Sequence, residues 1–231
     1  MTSQPTTNPR SSIPVDDAER ARFVADVLHT SVVGDVLDAL GRTHQFLPPR
    51  IRRLAPGPRL VGRAMPVVLA DVAGPQPRPF GALTDALDQL LPGEIYVGMG
   101  ARAECAAWGE ILTTTAQHRG AVGAILDGYH RDTDGVLERR FPVYSWGAFG
   151  QDAGVRTVVT DYRVTVEIDG VTIAPGDLMV ADVDGVVVVP SAVEDEVLER
   201  AFTKVSAENL VLRAIEDGMS STDAFAQYGV L

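Results

Sequence analysis

The chain has 231 residues, enough for one large domain or two small ones, and its 45% apolar content can fill a core, which excludes disorder as the main state. Lys plus Arg is 20 against 31 Asp plus Glu, and a net charge of −11 speaks against phosphate-backbone and anionic-lipid partners. The one cysteine, Cys105, excludes an internal disulfide framework and an all-cysteine zinc site.

Met1–Pro14 is polar and proline-bearing, without an apolar signal-peptide core, and reads as a flexible tail ahead of one α/β domain over residues 15–231. No stretch reaches the roughly eighteen uninterrupted apolar residues of a membrane span. With a single cysteine, the expected location is the cytoplasm. An amphipathic helix is predicted from Asp16 to about Leu28. Thr30 or Ser31 can cap a second, Val32–Leu40, which Gly41 ends. The proline- and arginine-rich stretch Leu47–Gly62 reads as turns leading into a strand at Arg63–Leu69. After a loop at Gly74–Pro79, a helix covers roughly Gly81–Leu91.

Glu94–Val97 then reads as a strand, Gly98–Arg102 as a glycine-bearing turn, Ala103–Arg119 as a helix and Val122–Leu126 as a buried strand. Strand, helix and strand at this spacing make a right-handed parallel crossover. Ligands in open parallel sheets gather at the carboxyl ends of the strands. Here those ends are Gly98–Glu104 and Asp127–Asp132. Further strands are predicted at Val155–Val159, Tyr162–Ile168, Leu178–Ala181 and Val186–Pro190, with Asp169-Gly170 and Asp184-Gly185 as turn dipeptides. Ser191 and Glu194 form a capping-box pattern for a long helix that runs to about Glu216 and stops at Gly218.

Arg131 beside Asp132 stands at the expected ligand edge. The arginine can bind a carboxylate bidentately and the aspartate can hold a hard divalent cation, although a loop ion pair is the plainer reading. Glu110 lies 21 residues before Arg131, a helix out and a strand back, so it can reach the same edge or be an ordinary exposed helix charge. The turn Gly98, Met99, Gly100, Ala101 and Arg102 lacks the third glycine of a dinucleotide fingerprint. Its amides, at an expected helix N-terminus, suit a substrate carboxylate instead. His130 is the one histidine with a candidate role, through its place beside Arg131. Cys105 and Trp108 read as packing, and Asp182 and Asp184 as turn residues. The only lysine, Lys204, falls in the long C-terminal helix, which argues against Schiff-base catalysis.

Taken together, Ser31–Gly41, Ile51–Val67, Ala106–Asp132, Phe141–Gly147 and Pro175–Pro190 resemble the RraA-like family, which includes the 4-hydroxy-4-methyl-2-oxoglutarate and 4-carboxy-4-hydroxy-2-oxoadipate aldolases. The resemblance spans about Ser31 to Glu216. It implies a mixed α/β fold like the swivelling phosphohistidine domain, and a homotrimer or dimer of trimers with active sites between subunits. It also implies an Mg²⁺- or Mn²⁺-dependent lyase that cleaves a 4-hydroxy-2-oxo acid to pyruvate, or decarboxylates oxaloacetate. By the same resemblance Arg131 binds the substrate carboxylate, Asp132 holds the metal, Glu110 acts on it through water, and the Gly98–Arg102 amides face the substrate. Glu208 is the best match for a glutamate that approaches the metal from a neighbouring subunit.

The chain departs from the aldolase pattern at Gly135, where an acidic residue is usual, and at Tyr129 and His130, which replace small residues. The family's ribonuclease regulators lack the metal-holding aspartate, so Asp132 favours catalysis. The rival readings are a non-catalytic regulator that binds a ribonuclease or helicase, and a methyltransferase, against which the missing glycine-rich nucleotide loop argues.

Overall fold

A computed structural model of the chain describes residues 13–229, so most of the expected N-terminal tail, residues 1–12, lies outside the described residues. Helix α1 (Asp17–Val27) starts where the Asp16 side chain accepts from the Glu19 amide at 2.9 Å. Helix α2 (Thr30–Ala39) is not capped by its own Thr30 or Ser31. Asp182, 152 residues away, accepts from the Thr30 amide at 2.9 Å and from its hydroxyl at 2.8 Å. Burial pushes the Asp182 carboxyl up, but the bonds from Thr30, Asp184 and Gly185 outweigh it and hold the group below the usual carboxylate range.

The strands follow as β1 (Arg52–Arg53), β2 (Leu60–Asp71), β3 (Glu94–Met99), β4 (Ala106–Trp108), β5 (Gly123–Leu126), β6 (Tyr129–His130) and β7 (Val143–Ser145). After them come β8 (Thr157–Tyr162), β9 (Val166–Ile168), β10 (Val171–Ile173), β11 (Leu178–Ala181) and β12 (Val186–Val189). Between these lie α3 (Leu83–Asp88), α4 (Glu110–His118) and α5 (Thr133–Glu138), and the chain continues into α6 (Glu194–Glu216) and α7 (Ser221–Tyr228). Eight strands form one mixed sheet in the order β1-β7-β5-β3-β2-β11-β12, with β8 also on β2. Its centre, β2, β3, β5 and β7, is parallel, as the crossover pattern requires. Asp169 and Gly170 (φ 47° and 83°) turn β9 into β10, the two left-handed positions that an Asp-Gly hairpin favours.

Period-two alternation sends successive side chains to opposite faces, and both faces are buried. Ile95, Val97, Ile125, Met179 and Val188 point toward the β9–β10 hairpin. Tyr96, Ala124 and Leu126 pack with Leu87 of α3 and Ala116 of α4 on the other face. Leu178, Val180, Val187 and Val189 meet α1, α2 and α6 there.

Two local expectations are corrected. Ala103–Arg119 is not one helix: its first part is strand β4, paired in parallel with β6, and α4 begins only at Glu110. The alanine-rich run favours helix by propensity, but the pairing of Ala106 and Trp108 with Tyr129 and His130 wins. The capping box is also absent. Ser191–Val193 form a single 3₁₀ turn, the Ser191 amide donates to Asp177, and the buried Glu194 carboxylate accepts from Arg20 at 2.7 Å and Arg63 at 2.5 Å. Helix α7 was not anticipated. Among the described residues, no helix is long and apolar enough to cross a membrane.

Candidate active site

The short β4–β6 ribbon sits beyond the carboxyl ends of β3 and β5 and delivers two segments side by side. Trp108 pairs with His130, and the Arg131 amide donates to the Trp108 carbonyl at 2.9 Å. Glu110 and Asp132 follow two residues after Trp108 and His130, just past the ends of the two strands. The Glu110 amide lies 3.4 Å from Asp132 Oδ2, and Arg131 Nε lies 3.8 Å from the same oxygen. Asp132 takes a left-handed backbone (φ 55°), which aspartate tolerates better than most residues, and its side chain turns toward α4 rather than capping α5. A Cβ at Gly109 would stand 2.6 Å from that oxygen, so the approach needs glycine.

The Glu110 backbone therefore joins Arg131 and Asp132, whereas its carboxylate turns toward α5. Oε1 accepts from Arg139 Nη2 at 3.0 Å, and a Cβ at Gly135 would overlap the other oxygen. Gly135 is thus the seat of the Glu110 side chain. Arg131 Nη1 meets Asp152 Oδ1 at 3.0 Å, a residue that arrives through a bridge between Ala106 and Asp152. Nothing near Asp152 or Arg139 in sequence marks them; only pairing between distant segments brings them here.

His130 stands beside Arg131 in sequence but points inward. It is 2% exposed, with Nδ1 2.7 Å from Ser145 Oγ and Nε2 3.2 Å from Thr133 Oγ1, and burial lowers its pKa. It braces β6 against β7 and α5 and is not among the residues that line the cleft described below. Gly98 and Met99 belong to β3, and the amides of Arg102 and Ala103 donate to the Asp71 carboxylate at 2.9 and 3.0 Å. Because α4 starts only at Glu110, no helix dipole backs the Gly98–Arg102 turn; that end of the dipole faces Asp132 instead. Gly98, Met99 and Ala101 line a cavity of about 20 Å³, room for one water. Cys105 is buried there, and burial pushes its thiol up. Trp108 is core, 2% exposed, with its indole N–H on Thr113 Oγ1 at 2.8 Å.

Arg131, Asp132 and Asp152 share a cleft of about 440 Å³ with Phe80, α3, β4 and the outer face of α4. Both members of the Arg131–Asp132 pair are part-exposed in it, at 38% and 46% of their side chains. Among the described residues no three His, Cys, Asp or Glu side chains converge as a metal cage. Asp132 faces the cleft while the Glu110 carboxylate rests on Arg139, and one such carboxylate suits a hard cation that keeps most of its waters, Mg²⁺ or Mn²⁺, rather than zinc. Glu208 and Lys204 lie apart from this set, on α6, 3.8 Å from one another, and Lys204 Nζ is 2.5 Å from Asp35 on α2.

The RraA-like family model, described as "Aldolase/RraA", matches residues 30–188, a span that holds Glu110, Arg131, Asp132 and Asp152. The chain belongs to the RraA-like family. An RraA-like relative from Halalkalibacterium halodurans, named "Putative 4-hydroxy-4-methyl-2-oxoglutarate aldolase", is 30% identical over 86% of this chain and 90% of its own. Protein DlpA of Legionella pneumophila is 26% identical over 87% of this chain, which spans about a third (32%) of that protein's length. An uncharacterized protein from Pseudomonas syringae superposes with a TM-score of 0.79 at 36% identity, covering 94% of this chain and 99% of the other. Streptomyces coelicolor RraAS2, described as an unusual member of the RNase ES inhibitor RraA protein family, superposes at 0.74 with 27% identity, covering 84% and 96%. The mixed α/β architecture is thus that of RraA-like proteins.

Proposed function

We propose that this RraA-like chain is a divalent-metal-dependent lyase, cleaving a 4-hydroxy-2-oxo acid to pyruvate or decarboxylating oxaloacetate through the same enolate. The observation that supports this reading is the Arg131 guanidinium beside the Asp132 carboxylate in one cleft. The aldolase name of a relative matched over 90% of its length agrees with it.

In this reading Arg131, with Nη1 braced by Asp152, offers its remaining donors to the substrate carboxylate as a planar fork. Asp132 would hold the cation, and Glu110 would reach it only through water. When bound, the cation supplies a Lewis acid for the charge that develops on the 2-oxo oxygen, a task for which this chain offers no lysine nearby. Glu110, one oxygen of which stays on Arg139, takes the 4-hydroxyl proton through a water. The C3–C4 bond then breaks, its electron pair enters the pyruvate enolate, and a proton returns to C3. The chain would act in the cytoplasm as a trimer or dimer of trimers, with Glu208 of a neighbouring copy near the cation.

Turnover of 4-hydroxy-4-methyl-2-oxoglutarate and of oxaloacetate, with Mg²⁺ and with EDTA, tests the reading. Loss in EDTA and recovery with Mg²⁺ supports it. Activity that survives chelation ends it. The second reading, a regulator that docks on a ribonuclease or helicase, draws on the likeness to RraAS2 and on the net charge of −11, which suits arginine-rich partners. A regulator binds its partner in EDTA and turns over neither acid.

A further inference from the structure

We infer that Arg139 is a positioning residue that keeps the Glu110 carboxylate off the cation, so that a water stands between them; the inference rests on the metal-dependent reading above. The contact is made within one chain, between the first residue of α4 and the residue that follows α5. The Glu110 backbone stands at Asp132, with its amide 3.4 Å from Oδ2. Its side chain leaves in another direction. Oε1 accepts from Arg139 Nη2 at 3.0 Å, and Oε2 lies over Gly135, where a Cβ would stand 2.4 Å from it and 2.5 Å from Cδ. A carboxylate on the first turn of α4, released from these contacts, could join Asp132 on a hard cation, which takes several oxygen ligands.

Stability does not account for this seat. Both side chains of the pair are part-exposed, at 35% for Arg139 and 43% for Glu110, and ion pairs in such positions contribute little. Arg139 Nε is buried without an acceptor among the described residues, which costs solvation. Gly135 is the third of six residues in α5, inside a helix, where glycine is weaker than alanine. The short helix thus forgoes a better residue, and the guanidinium forgoes solvent, for a contact that adds little to folding. What the contact does fix is the place of a carboxylate beside Asp132. A second carboxylate on the cation would tighten its binding and displace a water, and Glu110 needs water between itself and the substrate hydroxyl to take the proton.

The test counts the waters that Mn²⁺ keeps when bound to the full chain, by electron-nuclear double resonance and the relaxation of water protons, and measures its dissociation constant in the same titration. Two variants release Glu110 by different means. Arg139→Met removes the bond and keeps the bulk of the side chain, while Gly135→Ala fills the seat without altering any charge. Each is expected to cost Mn²⁺ one water and to tighten its binding roughly threefold or more, through the added ligand charge. Glu110→Gln, combined with either, should restore the water, and Arg139→Lys should retain it. If Gly135→Ala does not fold, Arg139→Met with and without Glu110→Gln decides alone.

A water count that stays the same in a folded variant of either kind overturns the inference and leaves the lyase reading intact. So does a lost water that Glu110→Gln fails to restore, because Glu110 is then not what replaced it. Mn²⁺ that does not bind the unaltered chain overturns the metal-dependent reading and this inference with it. A water lost and restored as expected, in a chain that turns over neither acid, removes the lyase reading and keeps Arg139 in its positioning role.

Discussion

Asp132 Oδ2 lies 3.4 Å from the Glu110 amide, so the carboxylate faces the amino end of α4 while its own backbone opens α5. The partial positive charge of the α4 terminus is directed at this oxygen. Asp132→Asn keeps the shape and the tolerance for a left-handed backbone but removes the charge. It is expected to lower kcat by roughly 10²–10³-fold and leave the unfolding temperature nearly unchanged. Steady-state kinetics, with Mn²⁺ binding followed by electron paramagnetic resonance, check both halves; full activity in the variant would remove Asp132 from the metal.

Gly109→Ala tests geometry rather than charge. Gly109 has an extended backbone (φ −166°), which alanine accepts, but the new methyl would press on Asp132 Oδ2 at 2.6 Å. A side-chain end can yield, so little stability is lost, while the carboxylate moves. The expected result is a near-native melting curve with kcat/KM down by about 10², the scale of a 1 Å misplacement.

Arg131→Lys retains the positive charge and loses the planar fork, so the substrate carboxylate is gripped at a point instead of along an edge. A KM rise of roughly tenfold or more is expected from the loss of one charge-assisted bond. Asp152→Ala should raise KM in the same direction by less, because it frees Arg131 without removing it. A KM unchanged in both variants would place the carboxylate elsewhere.

Asp182 gives a pH signature for stability. Its folded pKa is depressed, so its contribution is fully present above the unfolded aspartate value of about 3.9 and is lost as pH falls through the lower folded value. Asp182→Ala removes both bonds to Thr30 and should cost about 1–3 kcal/mol at pH 7. Urea unfolding at pH 7 and pH 3 should show the gap between the two proteins narrowing at the lower pH; a gap that does not change with pH would exclude the ionised cap.

Several features were legible in the chain alone because they rest on neighbours in sequence. The parallel β3–β5 unit follows from two apolar runs around a helix, and the β9–β10 hairpin from Asp169-Gly170. The placement of Arg131, Asp132 and the Glu110 backbone at one strand edge follows from the 21-residue spacing, a helix out and a strand back. Trp108 as core was also readable.

The misreadings share one origin. Ala103–Trp108 looked helical because alanine favours helices locally, and the β6 partner that makes part of it a strand lies over twenty residues away. Glu194 looked like half of a capping box, and its carboxylate instead meets Arg20 and Arg63 across 174 and 131 residues. His130 looked like a pocket residue through its neighbour in sequence, but alternation along β6 turned it inward onto Ser145.

The sequence by itself determined the fold class, the family and the place of Arg131 and Asp132 beyond the carboxyl ends of the parallel strands, since periodicity, turn dipeptides and adjacent motifs are short-range properties. Only the tertiary structure decided where the Glu110 carboxylate rests and that Asp152 steadies Arg131. Those depend on which distant segments pair, and pairing is settled by burial summed over the whole sheet, not by any local run of residues.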